Sequence, residues 1–220
     1  MNLIFEKKEI DKKELLNALD SNFKGLEELR KKLLNEPKYG NDNEQADDMQ
    51  TKVHEHVCKY VQSQKDKTNL HSYLVVIINN SANTLMGQYT SASADGRLSG
   101  TYMNNGNAPT GGADKEGVTA MLNSIVKPDS SIHAGAVQNM KFSKKMFTEN
   151  RTELKALLKT YFDKGGTQAM ITVVNRNDLE NAIKNPQEYS HIFVRVGGFT
   201  ARFIDLSDEV QKDILSRTLY

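Results

Sequence analysis

Two adjacent glycines, Gly197 and Gly198, interrupt an apolar run near the end of this 220-residue chain. The run before them, Ile192 to Val196, is rich in β-branched and aromatic residues and predicts a buried strand. Adjacent glycines remove two side chains at one point, so the backbone can adopt dihedrals that other residues avoid, or let a reactive group approach closely. Taken alone, the pair is typical of a strand-ending turn. The surrounding sequence therefore has to decide between a turn and a functional loop.

The surrounding sequence favours the functional loop. The pair lies in Arg195-Val196-Gly197-Gly198-Phe199 and is followed by the segment Thr200 to Thr218, which includes a short helix with an acidic start. Before it, Gly165-Gly166-Thr167-Gln168 precedes an apolar strand, Met170 to Val174, and a helix that Asn185-Pro186 ends. In order and spacing these segments resemble the C-terminal part of the glycyl radical enzymes, the superfamily of pyruvate formate-lyase and the diol dehydratases.

The resemblance covers nearly the whole chain, from about Leu3 to the C-terminus. Its further landmarks are Pro37 to Asp42, Ser93-Ala94-Asp95-Gly96-Arg97, Gly112 to Ala120 and Asn139 to Ser143. It implies an α/β fold that is part of a ten-stranded α/β half-barrel, with a C-terminal glycyl radical loop and helix. We expect residues 1–220 to form one domain, equivalent to about a quarter of such an enzyme, with residues 165–220 as its glycyl radical subdomain.

Apolar spacing predicts the individual elements. Leucines and Phe23 between Leu15 and Leu33 recur every three or four residues, which predicts an amphipathic helix or two helices broken near Gly25. Ala46, Met49, Val53, Val57 and Tyr60 repeat that spacing. The continuous run Tyr73 to Ile78 predicts a strand buried on both faces of a parallel sheet. Seven of the fourteen glycines lie between Gly87 and Gly117 and predict a long loop, and Leu154 to Phe162 predicts another helix.

The resemblance implies that Gly198 stores a backbone radical. A radical at Cα is stabilised by delocalisation onto both flanking amides, which requires local planarity that a β-carbon would crowd. Arg195, Val196, Gly197 and Phe199 would support this loop. By the same resemblance, an activating enzyme that uses S-adenosylmethionine and an iron–sulfur cluster installs the radical, so we expect no permanently bound cofactor.

One family feature is missing from these residues. Family members carry a catalytic cysteine in a glycine-cysteine-apolar-glutamate loop, whereas Cys58, the one cysteine here, lies between Val57 and Lys59 in a helical pattern. We therefore expect a radical-bearing small subunit of a split lyase or dehydratase, inactive without a large subunit that supplies the cysteine loop. Residues Gly165 to Tyr220 would swing out together for activation. Two alternatives are a spare part for an oxygen-damaged enzyme and a non-catalytic binding or regulatory remnant.

Smaller clusters give weaker predictions. His54 and Cys58 would share a helix face, but no second ligand pair follows at zinc spacing, so we expect no metal site. His133 is more typical of a surface or hydrogen-bonded residue than of a pocket. Arg97, within Asp95-Gly96-Arg97, reads locally as a turn residue, and the family resemblance makes it a weak substrate-side candidate.

Composition excludes some classes of protein. A formal net charge of +1 gives no electrostatic reason to expect nucleic acid or anionic lipid as a partner. One cysteine allows no disulfide framework, no apolar stretch reaches membrane-spanning length, and the start is too charged for a secretory signal. We expect a cytoplasmic location. The substrate cannot be read from these residues.

Overall fold

The computed structural model of the chain describes residues 2–220. They form two compact units, one made of the residues up to Pro37 with Asn83–Met103 and a larger one made of Lys38–Ala82 with Asn104–Tyr220. The helices are α1 Asn2–Phe5, α2 Lys12–Asp20, α3 Glu27–Asn35, α4 Glu44–Ser63, α5 Ala82–Gln88, α6 Gly117–Ile125, α7 Lys144–Thr148, α8 Arg151–Asp163, α9 Arg176–Lys184 and α10 Asp208–Ser216. Short 3-10 turns cover Lys65–Lys67, Ser130–Ile132 and Phe203–Asp205.

Six strands form three two-stranded sheets within the described residues. They are β1 Val76–Ile77, β2 Gly135–Ala136, β3 Asn139–Phe142, β4 Met170–Val173, β5 Phe193–Arg195 and β6 Thr200–Arg202. β1 pairs with β2 and β3 pairs with β4, both in parallel, whereas β5 and β6 form an antiparallel hairpin. Parallel pairs separated by helices are typical of an α/β fold, which confirms the predicted fold class.

The smaller unit confirms the predicted helix pair. α2 and α3 are separated by a turn in which Asn22, Phe23 and Gly25 all have left-handed backbone conformations. Phe23 turns into a core that also contains Leu29 and Leu33. The predicted long loop is confirmed as well, because no helix or strand occurs between the end of α5 and the start of α6.

The apolar stripe of α4 faces solvent, whereas the apolar stripe of a typical amphipathic helix packs against a core. The stripe residues Met49, Val53 and Tyr60 are between 56% and 62% exposed, while Asp47 and Cys58 are buried. Asp47 accepts hydrogen bonds from Ser124 Oγ at 2.9 Å and from Lys127 Nζ at 2.8 Å. The buried face of α4 is thus held by polar contacts to α6 and to Lys127 just after it, whereas the apolar stripe is largely exposed.

The prediction for Tyr73 to Ile78 is wrong in its burial. Only Val76–Ile77 is a strand, and Val76 is 54% exposed while Ile78 is 40% exposed. The physical reason is that β1 pairs with β2 alone among the described residues, so its other edge and much of its surface lack neighbours. A continuous apolar run is typical of a strand that is buried on both faces of a sheet, and here those neighbours are missing among the described residues.

The larger unit has two apolar cores. One joins α6, β3 and α8 through Met121, Phe142 and Leu154. The other contains only residues between Val174 and Leu215: Val174, Leu179, Ala182, Ile192, Val194, Val196, Phe203, Val210 and Ile214, with Tyr189, Ala201, Ile204, Leu206 and Leu215 packed against them. We call this second cluster the C-terminal core.

The strand before the glycine pair is buried on one face only. Ile192, Val194 and Val196 enter the C-terminal core, but Phe193 is 58% exposed. The predicted buried strand is confirmed for these three residues. Phe193 is exposed because β5 forms a two-stranded hairpin with β6 and only alternate residues face the core.

Candidate functional site

The glycine pair forms the turn of the β5–β6 hairpin. Arg195 pairs with Thr200, and the Val196 amide donates to the Phe199 carbonyl at 3.0 Å, which leaves Gly197 and Gly198 as the two central residues. Gly198 has a φ of +114°, a conformation that side-chain-bearing residues rarely adopt. The turn is therefore tight, and the backbone at position 198 requires glycine.

The predicted support residues lie around this turn. The Arg195 amide donates to Thr172 Oγ1 of β4 at 2.9 Å, and its guanidinium donates to Thr200 Oγ1 at 2.6 Å. Val196 is fully buried, whereas Phe199 is 43% exposed. Gly197 is buried and Gly198 is exposed. The structure thus brings all five loop residues together at one edge of the C-terminal core.

An ion pair that the sequence reasoning did not single out holds the strand end. Arg217 donates to the carbonyls of Arg195 and Val196, each at 3.0 Å, and to Asp213 Oδ2 at 2.8 Å. Both side chains are nearly buried, and we call the pair the arginine clamp. The i, i+4 spacing of Asp213 and Arg217 on a terminal helix was the available signal.

Two asparagines contact the glycine pair from elsewhere in the larger unit. A β-carbon built on Gly198 would lie 2.6 Å from Asn80 Oδ1 and 3.2 Å from Ile78 Cδ1. A β-carbon on Gly197 would lie 3.5 Å from Asn105 Nδ2, which is an ordinary contact distance. Asn80 and Asn105 come from loops far apart in sequence, so no local motif could have identified them.

Lys141 ties the end of α10 to β3. Its ammonium donates to the carbonyls of Ile214 and Leu215 at 3.1 and 3.2 Å, although the residue is almost fully buried. Burial, with the nearby charges of Arg176 and Arg217, lowers the pKa of Lys141 to about 8. A buried cation at a helix C-terminus satisfies carbonyls that the helix leaves unpaired.

The structure gives Arg97 a local role in the smaller unit. Its guanidinium donates to the carbonyls of Leu98 and Thr101 at 3.1 and 2.9 Å and to that of Thr90 at 3.3 Å. These bonds close the Ser91–Thr101 loop around the side chain. A substrate-side role for Arg97 stays a prediction.

The histidine and cysteine cluster is formed by α4 and the short 3-10 turn at Ser130–Ile132 with its following residue His133. The rings of His54 and His133 meet edge to face at 5.1 Å between centroids. Burial, then His133, lowers the pKa of His54, and burial raises the pKa of the Cys58 thiol. In residues 2–220 no group of three histidine, cysteine, aspartate or glutamate side chains is arranged to hold a metal ion.

Comparison with known proteins identifies this arrangement. Residues 103–204 match the family model described as glycine radical, and residues 1–87 match the pyruvate formate lyase-like model. The structure superposes on the B12-independent glycerol dehydratase of Clostridium butyricum with a TM-score of 0.91 and 32% identity, over 99% of this chain and 28% of that one. The chain therefore belongs to the glycyl radical enzymes and corresponds to a C-terminal portion of their barrel.

Curated relatives agree in extent. The isethionate sulfite-lyase of Oleidesulfovibrio alaskensis is 31% identical over 98% of this chain and 26% of its own length. The trans-4-hydroxy-L-proline dehydratase of Clostridioides difficile is 31% identical over 98% of this chain and 28% of its own length. The chain thus spans about a quarter of the relatives it matches. Among residues 2–220, no helix is both long and apolar enough to cross a membrane.

Proposed function

We propose that this chain carries the glycyl radical of a lyase or dehydratase on Gly198 and exchanges it with a cysteine on a large partner subunit. The observation that carries the proposal is the hairpin turn itself. It presents Gly198, with a φ of +114°, between the two peptide amides that flank its Cα, inside a segment that matches the glycine radical family model.

The chemistry follows from the backbone at Gly198. Removal of one hydrogen atom from Cα leaves an unpaired electron that both flanking amides delocalise. The radical later takes a hydrogen atom from the cysteine S–H bond, which restores glycine and leaves a thiyl radical for the substrate. An activating enzyme with an iron–sulfur cluster and S-adenosylmethionine would remove the first hydrogen atom.

Cys58 is unsuited to the thiyl role. It is 1% exposed, its thiol pKa is raised by burial, and it lies within α4 rather than in a loop. A hydrogen transfer requires the sulfur to approach Gly198 closely, and no loop carries Cys58 there. The thiol must therefore come from outside residues 1–220.

Two exposed apolar surfaces support a permanent partner. One is the stripe Met49, Val53, Val57 and Tyr60 on α4, and the other is the run Tyr73 to Ile78 around β1, whose second edge is unpaired among the described residues. Exposed apolar faces and open strand edges favour association with another chain. A large subunit that continues the barrel would cover both.

The C-terminal core supports movement of the radical segment. Every residue of that core lies between Val174 and Leu215, so the segment keeps these core contacts when it leaves the rest of the chain, while the contacts of Ala169, Ile171 and Tyr220 with the other core are lost. We propose that residues 165–220 swing out for activation. Because β4 pairs with β3 over four residues, movement of the whole of residues 165–220 separates this sheet.

The lyase assignment follows the relatives. Their names describe a sulfite-lyase and a dehydratase, both of which eliminate a small group from a substrate. We propose an elimination of that kind for this protein, with the substrate contacts supplied mainly by the large subunit.

Anaerobic electron paramagnetic resonance tests the proposal. The chain is co-expressed with its large subunit and activating enzyme, as wild type, Gly198→Ala and Gly197→Ala. Gly197→Ala is the matched control, because its β-carbon meets nothing closer than 3.5 Å and its backbone is not left-handed. We expect a doublet in wild type and Gly197→Ala and none in Gly198→Ala.

This experiment and one activity assay separate the alternatives. A doublet that requires this chain and a large subunit lacking its own glycine loop supports the split enzyme. Restored activity of an oxygen-cleaved full-length enzyme on addition of this chain would assign it as a spare part. A stable complex without a signal, in the presence of a competent activating enzyme, would assign a non-catalytic role.

A further inference from the structure

The radical-bearing turn is held from two sides by different kinds of contact. On one side the arginine clamp binds the carbonyls of Arg195 and Val196, and both of its residues belong to the C-terminal segment. On the other side Asn80 and Asn105 lie beside Gly198 and Gly197, 2.6 and 3.5 Å from where β-carbons of these glycines would stand, and both lie outside residues 165–220. Movement of the segment keeps the first set of contacts and breaks the second.

Asn80 approaches Gly198 where a side chain would otherwise stand. A β-carbon at position 198 would lie 2.6 Å from Asn80 Oδ1, so only a hydrogen atom fits between this oxygen and the Gly198 Cα. A carbonyl oxygen facing a Cα–H group makes a weak hydrogen bond. The amide is also chemically suitable beside a radical, because it offers no weak S–H or O–H bond from which hydrogen could be taken.

Asn80 is presented by a strained backbone. Asn80 has a φ of 42° and Ser81 a φ of 70°, both left-handed, and the Ala82 amide donates to the Asn79 carbonyl at 2.6 Å to close the turn. Asparagine tolerates this conformation better than most residues. Strained residues of this kind cluster at functional sites.

The second asparagine is fixed by its own hydrogen bonds. Asn105 is 4% exposed, and its Oδ1 accepts from Asn139 Nδ2 of β3 at 2.5 Å. Asn79 Nδ2 donates to the Asn104 carbonyl at 2.9 Å and so ties the two asparagine loops together. Asn80 and Asn105 thereby face the glycine pair from one connected framework.

We propose that Asn80 and Asn105 form a seat for the radical turn, positioning residues that hold Gly198 in its docked place and whose release accompanies activation. The inference rests on the proposed radical role of Gly198. Its first test, however, needs no radical, because the seat acts on the resting hairpin.

The first test is amide hydrogen exchange of the non-activated protein, in complex with its large subunit where that forms. Asn80→Gly removes the contact and tolerates the left-handed backbone, and Asn80→Asp keeps an oxygen at the same place. Asn22→Gly, in the smaller unit, makes the same change at another left-handed asparagine whose side chain is hydrogen-bonded.

We expect exchange in peptides covering residues 193–202 to rise roughly threefold to tenfold in Asn80→Gly, with Asn80→Asp and Asn22→Gly close to wild type. Unchanged exchange of the hairpin in Asn80→Gly overturns the seat. So does an equal rise in Asn22→Gly, because that result indicates a general loss of stability.

The second test uses the activated protein. Oxygen cleaves the chain at a glycyl radical, so the decay of the doublet in air reports how often the turn leaves its seat. We expect Asn80→Gly to shorten the radical lifetime by about the factor found for exchange, and Asn80→Asp to restore it. Equal radical lifetimes in wild type and Asn80→Gly would overturn the proposed role of Asn80 beside the radical. If wild type forms no radical, the proposed function fails while the exchange result still decides whether the seat exists.

Discussion

The C-terminal core and the two exposed apolar surfaces, the α4 stripe and the run around β1, differ in how far their apolar residues are buried. The C-terminal core buries Val194, Val196 and Phe203 almost completely with residues from a single stretch of about forty positions. The α4 stripe and the β1 run leave Val53, Tyr60 and Val76 more than half exposed. The apolar residues of the first region bury one another. Those of the second region have the composition of a protein interior but are exposed. The difference separates a segment that packs on itself from surfaces whose apolar side chains stay largely exposed.

The largest expected effect comes from the centre of the C-terminal core. Phe203 is fully buried, and Phe203→Ala should lower the free energy of unfolding by about 4 kcal/mol because it leaves a cavity. Thermal or urea unfolding of the purified chain measures this loss. A loss below about 1 kcal/mol would mean that the C-terminal segment is loosely packed, and the contrast with α4 would disappear.

The arginine clamp should give the next largest effect. Arg217→Met leaves Asp213 buried without its cation and frees two carbonyls before the glycine pair, which should cost about 3 kcal/mol. Urea unfolding gives the cost, and hydrogen exchange of β5 locates it. Arg202→Met is the control, since Arg202 pairs with Asp205 on the surface and should cost less than about 1 kcal/mol.

The lowered pKa of Lys141, which links β3 to α10, predicts that the stability of the chain depends on pH. Its pKa is about 8 when folded, below its ordinary value of 10.5, so the unfolded chain binds more protons between these values and stability rises with pH. From pH 8 to pH 10 the contribution of Lys141 should be roughly 2 kcal/mol. The buried thiol of Cys58, whose pKa is raised by burial, acts in the opposite direction in this range. Above pH 10 the buried Tyr161, whose pKa is raised to about 12, acts in the opposite direction.

Lys141→Met supplies the control for this prediction. The variant keeps the length of the side chain and removes the titrating group, so its stability relative to wild type should fall by roughly 2 kcal/mol between pH 8 and pH 10. Urea unfolding at several pH values measures both proteins. Parallel curves for wild type and variant would assign the pH dependence to another group.

The smallest effect on the chain alone is expected on α4. Val53 and Val57 are exposed, so Val53→Ser with Val57→Ser should change the free energy of unfolding by less than about 0.5 kcal/mol per site. The same pair should weaken binding to the large subunit if the stripe is covered there. Calorimetry of the complex measures the binding, and equal affinity of variant and wild type would remove α4 from the interface.

Local sequence determined the elements and the glycine turn. The helix pair around Gly25, the stop of α9 before Asn185-Pro186, the long loop and the turn at Gly197-Gly198 follow from periodicity and from residues with unusual backbone preferences. Such signals act over a few residues, so they can be read without knowing the fold. The family resemblance added the radical role of Gly198, which the sequence predicts and the experiments above test.

Tertiary structure alone decided what surrounds that glycine and which apolar faces are covered. Asn80, Asn105 and Arg217 meet the turn from three separate parts of the chain. The exposure of Val53 and Val76 also depends on which neighbours pack against them, because spacing marks an apolar face but does not say whether this chain covers it. Contacts between distant residues are set by the packing of whole elements, and that is why the sequence predicted the turn but not its seat.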